Sequence, residues 1–167
     1  KTMNSFSALP LLSTLALGDL SPAPSVLAAE AKRCFADRDE LKAAVDQYID
    51  ERGGEGCDVG KTYGWSMNSW CVSEVTSMTE LFRERRSFNE DLSAWDVGNV
   101  TSMQGMFKNA GAFNGNVSAW EVRKVTNMGE MFYGATAFNG DLSEWDVGKV
   151  ANMEEMFEDA EAFNGDL

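Results

Sequence analysis

Leu142-Ser143-Glu144-Trp145-Asp146-Val147-Gly148-Lys149-Val150-Ala151-Asn152-Met153-Glu154-Glu155-Met156-Phe157 is one copy of a pattern that the chain runs through four times. Trp70, Trp95, Trp120 and Trp145 lie 25 residues apart, as do Asn89, Asn114, Asn139 and Asn164. The same shift aligns Val75 with Val100, Val125 and Val150, and Met78 with Met103, Met128 and Met153. It also aligns two phenylalanine columns, Phe82/Phe107/Phe132/Phe157 and Phe88/Phe113/Phe138/Phe163. A fixed period of 20 to 50 residues is the mark of one supersecondary unit repeated along the chain.

Spacing within a unit changes part way along. Trp145 and Val147 are two apart and face the same way on an extended chain, so a short strand is expected near 143–147 and, by the shift, near 69–73, 93–97 and 118–122. From Val150 onward the apolar residues are spaced as on a helical turn, which predicts short helices near 76–83, 101–108, 126–133 and 151–158. Strand plus short helix in each repeat is an α/β solenoid of right-handed, leucine-rich-repeat-like coils with parallel strands. The expected repeats are 70–94, 95–119, 120–144 and 145–167. The asparagine column is expected to form a buried structural ladder, and Trp70, Trp95, Trp120 and Trp145 to lie between coils.

Working outward, residues 32–69 read as a helical N-terminal cap. Leu41, Ala44, Val45, Tyr48 and Ile49 recur at helical spacing, with Asp37 as N-cap and Gly53-Gly54 as stop. Residues 1–31 form an apolar arm or retained targeting remnant. Phe6, Leu11, Leu12 and Leu15 are its candidate docking residues, while Pro10, Pro22, Pro24 and Gly18 forbid a long helix. The run from Phe6 to Leu17 has the length of a signal-peptide core, and Ala29-Glu30-Ala31 reads as a cleavage site. Two placements are weighed for the arm: docking on another protein or a membrane surface, or folding back over the helix. Beginning at Lys1 and ending at Leu167, the sequence reads as part of a longer product.

Composition narrows the chemistry. The 167 residues hold 14 Lys+Arg against 27 Asp+Glu, a net charge of −13, so nucleic acid is not an expected partner. Histidine is absent, which removes the usual neutral-pH proton carrier and the commonest zinc ligand. Cys34, Cys57 and Cys71 are too few for a disulfide framework and leave open either a Cys34–Cys57 bridge or three free thiols.

The pattern Phe138-Asn139-Gly140-Asp141-Leu142-Ser143-Glu144-Trp145-Asp146-Val147, continuing to Val150, Met153, Met156 and Phe157, resembles the 25-residue branch of the BspA-like leucine-rich-repeat surface-protein family. The resemblance covers about residues 70–167 and implies cell-surface or organellar proteins that act through protein contacts. Three positions of the first repeat depart from the pattern. Arg85 stands where other repeats have Ala110, Ala135 and Ala160, Leu81 replaces the second Met, and Cys71 replaces the acidic residue after Trp. These departures suit a terminal repeat covered on one flank by something other than a repeat.

The expected function is a non-catalytic protein–protein interaction scaffold, an accessory subunit docking on a larger organellar assembly such as a plastid or photosynthetic membrane complex. The alternatives are a cell-surface adhesin-like protein and a cation or small-ligand binder built on the stacked acidic positions Asp91, Asp141 and Asp166. No cofactor and no catalytic residue is expected; the acidic run Glu154, Glu155, Glu158 and Asp159 reads as a solvated face. Asp96, Glu121 and Asp146 should form an outward acidic stripe, the candidate surface for a basic partner.

Overall fold

The structure is a computed structural model, and it describes residues 33–52 and 57–165. The arm with Phe6, Leu11, Leu12 and Leu15, the Gly53-Gly54 stop and Asp166 lie outside the described residues.

The two described α-helices, α1 (Arg38–Asp50) and α2 (Asp58–Tyr63), precede the repeats, with a single 3₁₀ turn at Met67–Ser69. Asp37 caps α1, its Oδ1 accepting from the N–H groups of Asp39 and Glu40. The buried side of the helix is Leu41, Ala44, Val45 and Tyr48, one face at 3.6-residue spacing. Beyond Glu51 the chain turns through Arg52 at φ 58°, which ends the helix.

The expected strand-plus-helix solenoid is not what the repeats form. Among the described residues there is no strand, and no repeat contains a helix. The stretch expected as a strand consists of two successive turns. The N–H of Trp95 returns to the carbonyl of Leu92, and that of Val100 to Val97; Trp120/Val117, Val125/Val122, Trp145/Leu142 and Val150/Val147 repeat the arrangement. An amide committed three residues back is unavailable for a ladder. Parallel pairing between repeats is therefore reduced to isolated bridges through Ser77, Ser102, Asn127 and Asn152, with one more between Cys34 of the lead-in and Cys71.

The stretch expected as a helix is a series of overlapping turns whose amides alternate in destination. Met106, Lys108 and Ala110 donate within the repeat to Met103, Gly105 and Phe107, whereas Met103, Gly105, Phe107 and Asn109 donate to Asn127, Gly129, Met131 and Tyr133 of the next repeat at 2.7–2.9 Å. In an α-helix every such N–H would return four residues back. Here half of them tie neighbouring repeats together. The geometry needs a left-handed residue at two places per repeat. Positions 80/105/130/155 have φ of 53–57° and positions 84/109/134/159 have φ of 57–64°. A positive φ at the third position of a four-residue turn is the type II requirement, and Gly, Asn and Asp tolerate it best.

Stacked repeats share one core. Phe82, Phe107, Phe132 and Phe157 lie in a column with ring centroids 5.4–5.6 Å apart, and Phe88, Phe113, Phe138 and Phe163 form a second column at 5.9–6.0 Å. Within each repeat the two rings stack at 3.8–4.1 Å. The four repeat tryptophans are buried against the core and send their indole N–H groups backward, Trp70 to the carbonyl of Gly64, Trp95 to Met67, Trp120 to Leu92 and Trp145 to Val117, whereas Trp65 of the lead-in is exposed. Met67 thus occupies the position of Leu92, Val117 and Leu142, three residues upstream of Trp70.

All three departures in the first repeat have structural partners or burial. Cys71 forms a disulfide with Cys34, so neither open alternative, a Cys34–Cys57 bridge or three thiols, is found; Cys57 is the free, buried cysteine. Arg85 reaches Asp46 and Asp50 of α1 at 2.7 and 2.8 Å. Leu81 is fully buried. Arg38 adds hydrogen bonds from its guanidinium to the Thr79 carbonyl, Tyr48 sits edge-on to Trp70 at 5.3 Å, and Phe35 stacks on Tyr63 at 4.0 Å.

Candidate interaction face

The turn that each tryptophan closes also fixes the side chains around it. Asp91 and Asp141 each accept from a serine N–H two residues on, at 2.9 and 3.0 Å. The Ser143 N–H, and then its hydroxyl, hold the Asp141 carboxyl below its ordinary range, and Ser93 does the same for Asp91. Asn116 makes the same turn with an amide in place of the carboxylate. Asp91 and Asp141 therefore brace turns, with Asn116 between them in sequence, and Asp166 lies outside the described residues. Among the described residues no group of three or more Cys, Asp or Glu side chains is gathered as a metal site.

Asp96, Glu121 and Asp146 are all exposed. Asp96 and Asp146 accept from the N–H of Gly98 and Gly148, and Glu121 is paired with Arg123. The stripe is therefore uneven: its middle charge is balanced inside its own repeat. Glu121 and Asp146 line one open groove of about 610 Å³ together with Ser118, Trp120, Arg123, Asp141 and Glu144. Asp96 is not part of its lining. Four carboxylates against one guanidinium make the groove acidic. Arg123 and Glu144 share the alternating parity of Glu121 and Asp146 and would face outward with them on a strand; Asp141, five residues before Asp146, has the opposite parity and reaches the groove because the backbone there turns.

The asparagines form a row, but at the surface. The N–H of Asn114 donates to Asn89 Oδ1, Asn139 to Asn114 Oδ1 and Asn164 to Asn139 Oδ1, at 2.9–3.0 Å, and all four side chains belong to exposed residues. The expectation of burial is corrected: the rung needs only one side-chain oxygen per repeat, and the rest of the amide stays in water. Trp70, Trp95, Trp120 and Trp145 are 3–5% exposed. Cys71 occupies the same place in its repeat as Asp96, Glu121 and Asp146. That substitution of a thiol for a carboxylate, next to a lead-in carrying Cys34, was the available signal for the disulfide.

Registered repeats, a shared aromatic core and an interlocked helical lead-in define a tandem-repeat protein whose variable chemistry lies on its exposed turns. The chain belongs to the family described as "Mycoplasma protein of unknown function, DUF285", whose model matches residues 58–167. This membership is consistent with the BspA-like surface-protein family and does not distinguish its 25-residue branch. No curated protein and no solved structure matches the chain.

Proposed function

We propose that the chain is a non-catalytic protein–protein interaction scaffold of the surface-protein type, and that its acidic turn face meets a basic partner. The observation that carries this reading is the groove formed by Glu121, Asp141, Glu144 and Asp146 beside Arg123. It is held on a backbone whose repeats are bonded to one another along their length, so little backbone ordering is left to be done at the moment of binding. Membership of a family consistent with surface repeat proteins supports the same reading.

Surface location is favoured over an organellar subunit by the Cys34–Cys71 disulfide, since such bonds persist in oxidising surroundings. The subunit reading rested on Phe6, Leu11, Leu12 and Leu15, which lie outside the described residues.

Zero-length carbodiimide cross-linking of the protein in its native setting provides the test. Cross-links are expected from Glu121, Asp141, Glu144 and Asp146 to lysines of one partner. A variant with Asp96, Glu121 and Asp146 all changed to Ser should bind that partner more weakly, with a flatter dependence on salt. Unchanged, salt-independent binding by the variant, or links scattered over the whole acidic surface, refutes the reading.

A further inference from the structure

We propose that Asn116 is an acceptor for an N-linked oligosaccharide. Two Asn-x-Ser/Thr triplets occur in the chain, Asn99-Val100-Thr101 and Asn116-Val117-Ser118, and such triplets are the acceptor signal of exported proteins. The fold treats them differently. Asn116 is exposed, and its Oδ1 accepts both the N–H of Ser118 at 3.0 Å and its hydroxyl at 2.8 Å. Its Nδ2 has no hydrogen-bond partner among the described residues. Val117, 1% exposed, anchors the turn in the core, and its carbonyl receives the indole N–H of Trp145. The amide nitrogen is therefore held at the surface with the neighbouring hydroxyl already bonded to its own carbonyl oxygen.

Asn99 is arranged otherwise. Its Nδ2 donates to the carbonyl of Ser73 in the preceding repeat, its Oδ1 accepts from Lys124, and the Thr101 hydroxyl is turned away to the carbonyl of Thr76. A sugar on that nitrogen would have to sit against the neighbouring repeat. The position of Asn116 carries a second hint. Asp91 and Asp141 make the equivalent turn in the flanking repeats, so the carboxamide is not needed for the bend. Only in the second of these three described turns is the bracing group an amide that can be glycosylated. The disulfide supplies independent support, because oxidised cysteines and N-linked glycans mark the same exported class of protein.

The step balances with a polyprenyl-diphosphate-linked oligosaccharide as donor. Asn116 Nδ2 attacks the anomeric carbon of the first sugar and a C–N bond forms. The anomeric C–O bond to the diphosphate breaks, the lipid diphosphate leaves with the electron pair, and one Nδ2 proton passes to a base of the transferase. Ser118 also lines the acidic groove, but the proposal does not rest on that groove's binding a partner, and its test reads mass rather than binding.

The full chain, placed behind a cleavable leader, is translated with microsomes that carry this donor, and only protease-protected chains are scored. One glycan is expected, removed by peptide N-glycosidase with conversion of Asn116 to Asp in the mapped peptide. Asn116→Asp keeps the turn, as Asp91 and Asp141 show, and should abolish the glycan without changing the melting temperature. Ser118→Ala should abolish it too. A protected chain with unmodified Asn116, or with its glycan on Asn99 instead, overturns the proposal.

Discussion

Replacing Cys34 and Cys71 together by Ser removes the covalent link between the lead-in and the first repeat. The bridge joins residues separated by 37 positions. In the loop-closure treatment a 15-residue loop contributes about 3 kcal/mol and a 100-residue loop about 4.7 kcal/mol, which places this one at about 4 kcal/mol. At 2–4 °C per kcal/mol for a chain of this size, the double variant should melt roughly 8–16 °C lower. The loss should also be localised. Phe35, whose N–H donates to the Cys71 carbonyl and whose ring stacks on Tyr63, is held by the bridge, while the amides of Met128, Glu130, Phe132 and Gly134 are tied to the fourth repeat. Hydrogen exchange should therefore accelerate across α1 and leave those four amides protected. Thiol titration in denaturant supplies the covalent check: one reactive thiol, Cys57, before reduction and three after it. Three thiols without reductant, or a double variant that melts like the wild type, would refute the reasoning.

Three further perturbations probe the repeats and their contact with α1. Trp120→Ala should cost about 3–5 kcal/mol in urea unfolding because a buried indole leaves a cavity, and Trp120→Phe about 1–3 kcal/mol because the Leu92 carbonyl loses its donor; a loss under ~1 kcal/mol for the alanine variant would place the ring in solvent. Gly134→Ala should cost about 1–3 kcal/mol, since φ is 64° and a Cβ would collide with Asn109 Oδ1; Asn109→Gly in the same chain should recover part of that loss, and strictly additive effects would contradict the collision. For Asp46, burial raises the carboxyl pKa, but hydrogen bonds from Lys42 and Arg85 outweigh it and hold the group below its ordinary value. A depressed folded pKa gives stability that is present above the unfolded value and lost as pH falls through the folded one. The melting-temperature gap between wild type and Asp46→Asn should therefore be constant near neutrality and close in acid below about pH 4; a gap that persists there would show that the carboxylate's charge is not what matters.

Much of this architecture is legible in the sequence because a period of 25 residues dictates which side chains can stack. Trp95 over Trp70, Phe107 over Phe82 and Asn114 over Asn89 follow from register alone, and burial of the aromatic positions follows from hydrophobicity. The route of the backbone between those positions does not. Apolar residues at i, i+3 and i+4 satisfy a helix and a series of three-residue-return turns equally well. What separates the two is where each N–H goes, and Met103, Gly105, Phe107 and Asn109 find their acceptors in the next repeat. Gly105, Asn109 and Gly134, at positions where other repeats carry Glu or Asp, were the trace of left-handed backbone in the sequence. The same limit applies to the cysteines and the groove. Cys34 meets Cys71 because the lead-in packs on the first repeat, and Glu121 meets Asp141 and Asp146 because separate turns are brought together when the repeats stack. Side-chain periodicity determined the column; hydrogen bonding between neighbours, a property of the assembled tertiary structure, decided the backbone within it.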